Sequence, residues 1–250
     1  MKIYRQILQK KAEGLKQFAI LVDPDKISNL QIEKLCVSAN ANGVDYIFVG
    51  GSLITNNNLS NCISRIKKCC DIPVVIFPGN GNQLDEQADA LLFLSLISGR
   101  NADLLIGKHV SSAPIIREKN LEAIATGYML IESGNMTTAL YMSNTHPIPA
   151  DKPDIAACTA MAGEMLGLKM IFMDGGSGAK IPISTEIISA VRNVISVPLI
   201  VGGGIRTPEK AIANCKAGAD LIVIGNSIEK DPGILKELAD AIKKSVVIVG

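Results

Sequence analysis

The sequence predicts an α/β protein, a (β/α)8 TIM barrel made by the whole chain, residues 1–250, as one domain. Three observations carry this prediction. Short apolar, β-branched runs recur eight times along the chain. Each run is continuous rather than alternating, as suits parallel strands buried on both faces. Each is followed by small or polar residues and then by a helical pattern. A doubly wound open sheet is the competing arrangement of the same pattern.

The strands are expected at Phe18–Val22, Tyr46–Gly50, Val74–Phe77, Ala90–Leu96, Gly127–Ile131, Met170–Met173, Leu199–Gly202 and Leu221–Gly225. Segments such as "NLQIEKLCVSANANG" and "STEIISAVRNVIS" lie between them, with apolar residues spaced for one helix face. "NGVDYIFVG" and "AGADLIVIG" both run helix end, glycine turn, Asp, strand and a further glycine, an internal echo that supports a repeated βα unit. The main irregularity follows the fifth strand. In "NTHPIPADKPD" the prolines Pro147, Pro149 and Pro153 argue against any regular element. So long a connection reads either as a solvated loop or as a lid or binding loop. No linker or composition shift divides the chain.

Composition narrows the function classes. Hydrophobic residues make up 48% and charged residues 20%, enough for a sizeable core. The net charge of +1, with the signs interspersed, and an aromatic content of 4% argue against a nucleic-acid surface. The six cysteines contain no C-x-x-C pair and read as plain thiols in a reducing compartment. The N-terminus has no signal-peptide core, and no apolar run is long enough to span a bilayer, so a cytoplasmic protein is expected.

In a barrel of this kind chemistry is built where the strands end. The loops there read "DPDK" (Asp23 to Lys26), "VGGS" ending at Ser52, "PGN" (Pro78 to Asn80), "DGGSG" (Asp174 to Gly178), "GGGIRTPE" and "GNSIE". The last three are rich in glycine, and bare backbone N–H groups beside a helix N-terminus make a nest for an anion. The bare backbone of these three loops is therefore a candidate phosphate grip; turn glycines that serve only packing are the alternative. Arg206 either faces this site or caps solvent. Asp23 and Ser52, at neighbouring strand ends, offer hard oxygens to a magnesium ion, which takes few protein ligands. An Asp before Pro also starts ordinary turns. Asp174 ends a buried strand beside the nest and is the candidate general base. No Ser-His-Asp set, HExxH, P-loop or Schiff-base lysine is evident. His109 and His146 read as ordinary surface or loop hydrogen-bonding residues. "ALLFLSLISG" and "TGYMLIESG" offer an apolar lining, which core packing explains equally well.

With these motifs in view, "VDPDK", "VGGS", "FPGN", "FMDGGSGA", "VGGGIR" and "IGNSIE", in this order, resemble the geranylgeranylglyceryl phosphate synthase or PcrB-like prenyltransferases. The loop "SGNMTTALYMSNTHPIPADKPDIA" is similar to the branch with longer sequences. The resemblance implies a TIM barrel that joins sn-glycerol 1-phosphate to a long polyprenyl diphosphate, typically geranylgeranyl diphosphate, with Mg2+, and that forms homo-oligomers. By motif it implies that Asp23 and Ser52 hold the metal. It assigns glycerol phosphate to Phe172, Met173, Asp174, Gly175, Gly176, Ser177, Gly178, Gly203, Gly204, Gly225 and Asn226. The family's sixth strand commonly reads Tyr-x-Glu where this chain has Phe172, Met173 and Asp174, so a hydroxyl is missing and the carboxylate is one methylene shorter. Other readings are a barrel isomerase or aldolase of phosphorylated sugars, with Glu132 as a further carboxylate, and a non-catalytic phosphate-binding barrel.

Overall fold

A computed structural model describes residues 1–56, 58–225, 228 and 233–245. Eight parallel strands close on themselves in chain order: β1 (Gln17–Val22), β2 (Tyr46–Val49), β3 (Val74–Ile76), β4 (Ala90–Leu96), β5 (Ala123–Leu130), β6 (Met170–Asp174), β7 (Leu199–Gly202) and β8 (Leu221–Ile224). The pairing of β1 with β8, Gln17 opposite Leu221, removes both sheet edges and excludes the open sheet. The α-helices among the described residues include α1 (Lys2–Ala12), α2 (Asn29–Ala41), α3 (Leu59–Cys69), α4 (Lys108–Glu118), α5 (Thr138–Ser143), α6 (Pro153–Met165), α7 (Thr185–Arg192), α8 (Pro208–Lys216) and α9 (Ile234–Lys244), and a π-helical turn, Asp103–Gly107, leads into α4. Ser28, Ser184 and Thr207 cap α2, α7 and α8 by accepting a backbone N–H from the first turn.

The pleat divides the apolar residues into two cores. Phe48, Leu92, Phe172, Ile200 and Val223 fill the barrel interior. Ile47, Leu91, Ile171, Met173 and Val201 point outward against the helices. Burying each such side chain contributes about 1.5–3 kcal/mol. Helix α1 closes the lower end of the barrel with Ile3 and Ile7, and its first N–H groups are taken up by the Glu122 carboxylate, 3.0 Å from Ile3 N and 2.9 Å from Tyr4 N.

The repeated Asp before a strand has a structural role. Asp45 accepts from Phe18 N at 2.8 Å, Asp89 from Val74 N at 2.7 Å and Asp220 from Leu199 N at 2.9 Å. Each carboxylate thus receives the N–H of the neighbouring strand at the lower rim, which keeps these three far from the strand-end site.

Two expectations need correction. Strand β5 begins at Ala123, four residues before the expected Gly127. The proline-rich stretch also holds regular structure: Ile148 bridges Ile131, and Pro153 opens α6, where its missing N–H has no helical partner to lose. All six cysteines are free thiols. No helix among the described residues is long and apolar enough to cross a membrane.

Candidate active site

Two cavities meet at the C-terminal mouth of the barrel. The first, of about 130 Å³, is ringed by Asp23, Ser52, Phe172, Asp174 and the glycine loops after β6, β7 and β8. It draws Gly176, Ser177 and Gly178 together with Gly203, Gly204 and Gly225, as the strand-end reading anticipates. Gly175 and Met173 do not line it. Gly175 forms its back, donating its N–H to Gly202 O at 3.1 Å, and the pleat turns Met173 outward into the helix-facing core. Asn226 lies outside the described residues.

The glycines of this ring are set by close approach. Gly203 has φ +85°, and a Cβ there would stand 2.6 Å from Gly175 N. Gly176 has φ +83°, and its Cβ would meet Thr137 Oγ1 at 2.7 Å. The loops after β6 and β7 therefore pack backbone to backbone, which only residues without a side chain permit. Arg206 does not line the cavity: it is exposed to solvent, and its Nη2 donates to Ala179 O at 2.7 Å, which ties the two loops together.

Asp174 is 8% exposed and its carboxylate is bound on both oxygens. Gly176 N donates to Oδ1 at 2.7 Å and the Tyr128 hydroxyl donates to Oδ2 at 2.6 Å. Burial pushes its pKa up, and these two donors pull it part of the way back. Across the mouth, Asp23 Oδ2 pairs with Lys26 Nζ at 2.6 Å. A Cβ on Gly51 would lie 3.5 Å from the Asp23 carboxylate, which sets the β2 loop carrying Ser52 against it. The β2 loop is itself held by Gly79, whose absent Cβ would fall 2.8 Å from Ser52 Cα. Asp25 pins the same loop to β1 by accepting from Thr55 N at 2.6 Å, a contact that lowers its own pKa. No group of three or more His, Cys, Asp or Glu stands together among the described residues. One carboxylate and one hydroxyl fit a cation that completes its shell with phosphate oxygens and water.

The second cavity, of about 210 Å³, is apolar and runs between β4, β5 and α4. Leu92, Leu94, Leu96, Leu104, Tyr128 and Leu130 line it, and it shares Gly51, Ser52, Leu53 and Phe77 with the first. His109 stands in its wall, edge-on to Phe93 with ring centroids 4.4 Å apart, and burial lowers its pKa so that the ring stays neutral. Sequence reasoning left His109 at the surface or in a loop and did not single out Tyr128 or Phe77. The signal for Tyr128 and Phe77 is their position on or beside a strand whose inward face becomes definite only once the register is known; His109 lies in the first turn of α4 and reaches the cavity by packing on Phe93.

A closed parallel barrel with a glycine-lined pocket at the strand ends, a buried carboxylate in its wall and an adjoining apolar cavity has the layout of a TIM-barrel enzyme site. The comparisons narrow the class further. The chain belongs to the PcrB family, whose model matches residues 6–246. A geranylgeranylglyceryl phosphate synthase of Chitinophaga pinensis is 56% identical over 99% of this chain and 98% of that protein. A protein of the same name from Thermococcus kodakarensis is 40% identical over 92% and 90%. The crystal structure of (S)-3-O-geranylgeranylglyceryl phosphate synthase from Thermoplasma acidophilum, in complex with its substrate sn-glycerol-1-phosphate, matches with TM-score 0.92 at 31% identity and covers 98% of this chain and 99% of that one.

Proposed function

We infer that the chain is a prenyltransferase that joins sn-glycerol 1-phosphate to a polyprenyl diphosphate, such as geranylgeranyl diphosphate, forming an ether and releasing diphosphate. The observation that carries this reading is the meeting of the two cavities at Gly51, Ser52, Leu53 and Phe77, with a glycine-lined pocket that holds Asp174 on one side and an apolar channel on the other. The relatives' names and the glycerol phosphate bound by the Thermoplasma enzyme support the same reading.

The backbone N–H groups of Ser177 and Gly178, with those of Gly203, Gly204 and Gly225, hold the glycerol phosphate dianion, while the N–H of Gly176 stays on Asp174. The isoprenoid tail lies in the apolar cavity between β4 and α4, beside Phe93, Leu104 and Ile116. The 3-hydroxyl of the glycerol then faces the allylic carbon, its oxygen bonds to that carbon as the carbon–diphosphate bond breaks, and its proton passes to Asp174. Holding both substrates in this geometry supplies on the order of 7–11 kcal/mol at best. Asp23 and Ser52 would hold Mg2+, which when bound neutralises charge on the departing diphosphate. Lys26 sits on Asp23 as a half-exposed ion pair, and such pairs are weak enough for a divalent ion to displace.

The experiment is an incubation of labelled sn-glycerol 1-phosphate with prenyl diphosphates of graded length, across a magnesium titration. Ether product that requires both substrates and rises with magnesium is expected. No product, with turnover of a sugar phosphate instead, overturns the reading.

A further inference from the structure

Tyr128 is out of keeping with its place. It lies in the barrel interior, where aliphatic residues usually fill the layers, and it is 9% exposed. A phenol buried there needs a partner, and it takes the Asp174 carboxylate: Tyr128 Oη donates to Asp174 Oδ2 at 2.6 Å, a length typical of a bond to a charged acceptor. Its ring is fixed by two edge-on contacts, with Phe77 at 5.7 Å between centroids and Phe172 at 5.6 Å. On β6, Phe172 brings no hydroxyl of its own, although it shares the inward face with Asp174.

The geometry has a consequence for the reaction. Gly176 N holds one carboxylate oxygen and Tyr128 the other, so the plane of the carboxylate is set by two donors from different elements. Each oxygen keeps a lone pair for the cavity. Tyr128 also forms part of the wall of the apolar cavity, so one side chain touches both the tail channel and the carboxylate at the cradle's edge. We propose that Tyr128 is a positioning residue for prenyl transfer: its hydroxyl orients the Asp174 carboxylate toward the substrate hydroxyl and favours its ionised, proton-accepting form. This rests on the reading of Asp174 as the proton acceptor.

Burial and the neighbouring carboxylate keep the Tyr128 hydroxyl protonated well above its ordinary range, so it remains a donor throughout the working pH range. The test is Tyr128→Phe, which removes one oxygen and leaves the ring contacts. The expected result at saturating substrates is a fall in kcat of roughly 10- to 100-fold, as for a lost bond to a charged group, with KM for glycerol 1-phosphate little changed. The acid limb of the kcat profile should move to higher pH, because the carboxylate has lost a donor that stabilises its anion.

A Tyr128→Phe enzyme with a lower Tm but an unmoved limb and near-normal kcat overturns the proposal, since that is what a packing role alone gives. If Tyr128→Phe does not fold, global replacement of tyrosine by 3-fluorotyrosine, a stronger donor, serves instead: the limb should move to lower pH, and an unmoved limb overturns the proposal. Asp174→Asn separates the two layers. A variant with wild-type rate overturns the reading of Asp174 and this proposal together, whereas an inactive Asp174→Asn beside an unmoved Tyr128→Phe limb overturns the role of Tyr128 alone.

Discussion

Asp174 is a carboxyl buried in largely apolar surroundings, and the physics of charging it yields a prediction about rate and stability together. Its folded pKa is raised by burial above the unfolded value of about 3.9. The ionised form therefore costs stability at neutral pH, and the cost falls away as pH drops through the folded pKa toward the unfolded one. Asp174→Asn removes the charge and keeps the shape; its amide oxygen can accept from Gly176 N while its NH2 donates to Tyr128. Activity should fall by about 10²–10⁴-fold while Tm at neutral pH stays level or rises, and the gap in Tm between variant and wild type should close as pH is lowered toward 4. Steady-state rates and melting curves across a pH series test this; a variant that turns over normally removes Asp174 from the chemistry. A carboxylate that ends an apolar run and meets glycines is conspicuous in sequence, which is why Asp174 was legible there. Tyr128 was not. In "GYMLI" both faces of the strand are apolar, so alternation does not reveal which side faces inward, and only the pairing of Tyr128 with Phe172 aims it at the carboxylate. Met173 is the converse case: continuity of the motif drew it into the predicted ligand set, and the pleat sends its side chain the other way.

At the scale of elements, the proposed anion cradle is a contact between two loops rather than a property of either. The loop after β6 reaches its position because Gly203, in the loop after β7, leaves room for Gly175 and Gly176, and Arg206 fastens the pair. Gly203→Ala would put a Cβ within 2.6 Å of Gly175 N at a φ of +85°. The positive φ alone costs about 1–2 kcal/mol, and the clash must be relieved by parting the loops. The expected outcome is a lower Tm and a KM for glycerol 1-phosphate raised by about tenfold or more, with KM for the prenyl diphosphate much less affected. Equal changes in both KM values would mean that the two loops do not form a separate phosphate grip. Such loops can be recognised in sequence by their glycines, because a bare backbone is itself the signal. Helix α6 was harder to see. Pro153 reads as a breaker when it follows two other prolines, yet at the first turn of a helix its fixed φ and missing N–H are suited to the position. The early start of β5 was hidden for a related reason: Ala123, Ala125 and Thr126 are too small to mark a strand, and their strand geometry comes from pairing with Leu91, Phe93 and Leu94.

On the scale of the whole molecule, eight repeats of one unit make closure legible, because parallel strands with short helical returns leave few other arrangements. The joint between the two cavities was not legible, since it depends on how far β4, β5 and α4 stand apart. Strand β4 rises to the mouth from Leu91 to Leu96, and α4 descends from Lys108 to Ile116. Ile116, in the last turn of α4, therefore marks the lower end of the apolar cavity. A barrel that lays an isoprenoid along this path should measure it against that end. Ile116→Phe adds volume at a residue that is 7% exposed, and overpacking there costs about 1–3 kcal/mol, which the Tm reports separately. The longest accepted prenyl diphosphate should become shorter. Even one methylene in an apolar pocket is worth about 10- to 200-fold in kcat/KM, so the loss on a twenty-carbon donor relative to a ten-carbon one should reach at least that range. Competition between donors of the two lengths, read from the products, measures this ratio directly. An unchanged ratio in a folded Ile116→Phe enzyme would mean that the tail takes another path across the barrel, and the apolar cavity between β4 and α4 would then be a packing void rather than a substrate channel.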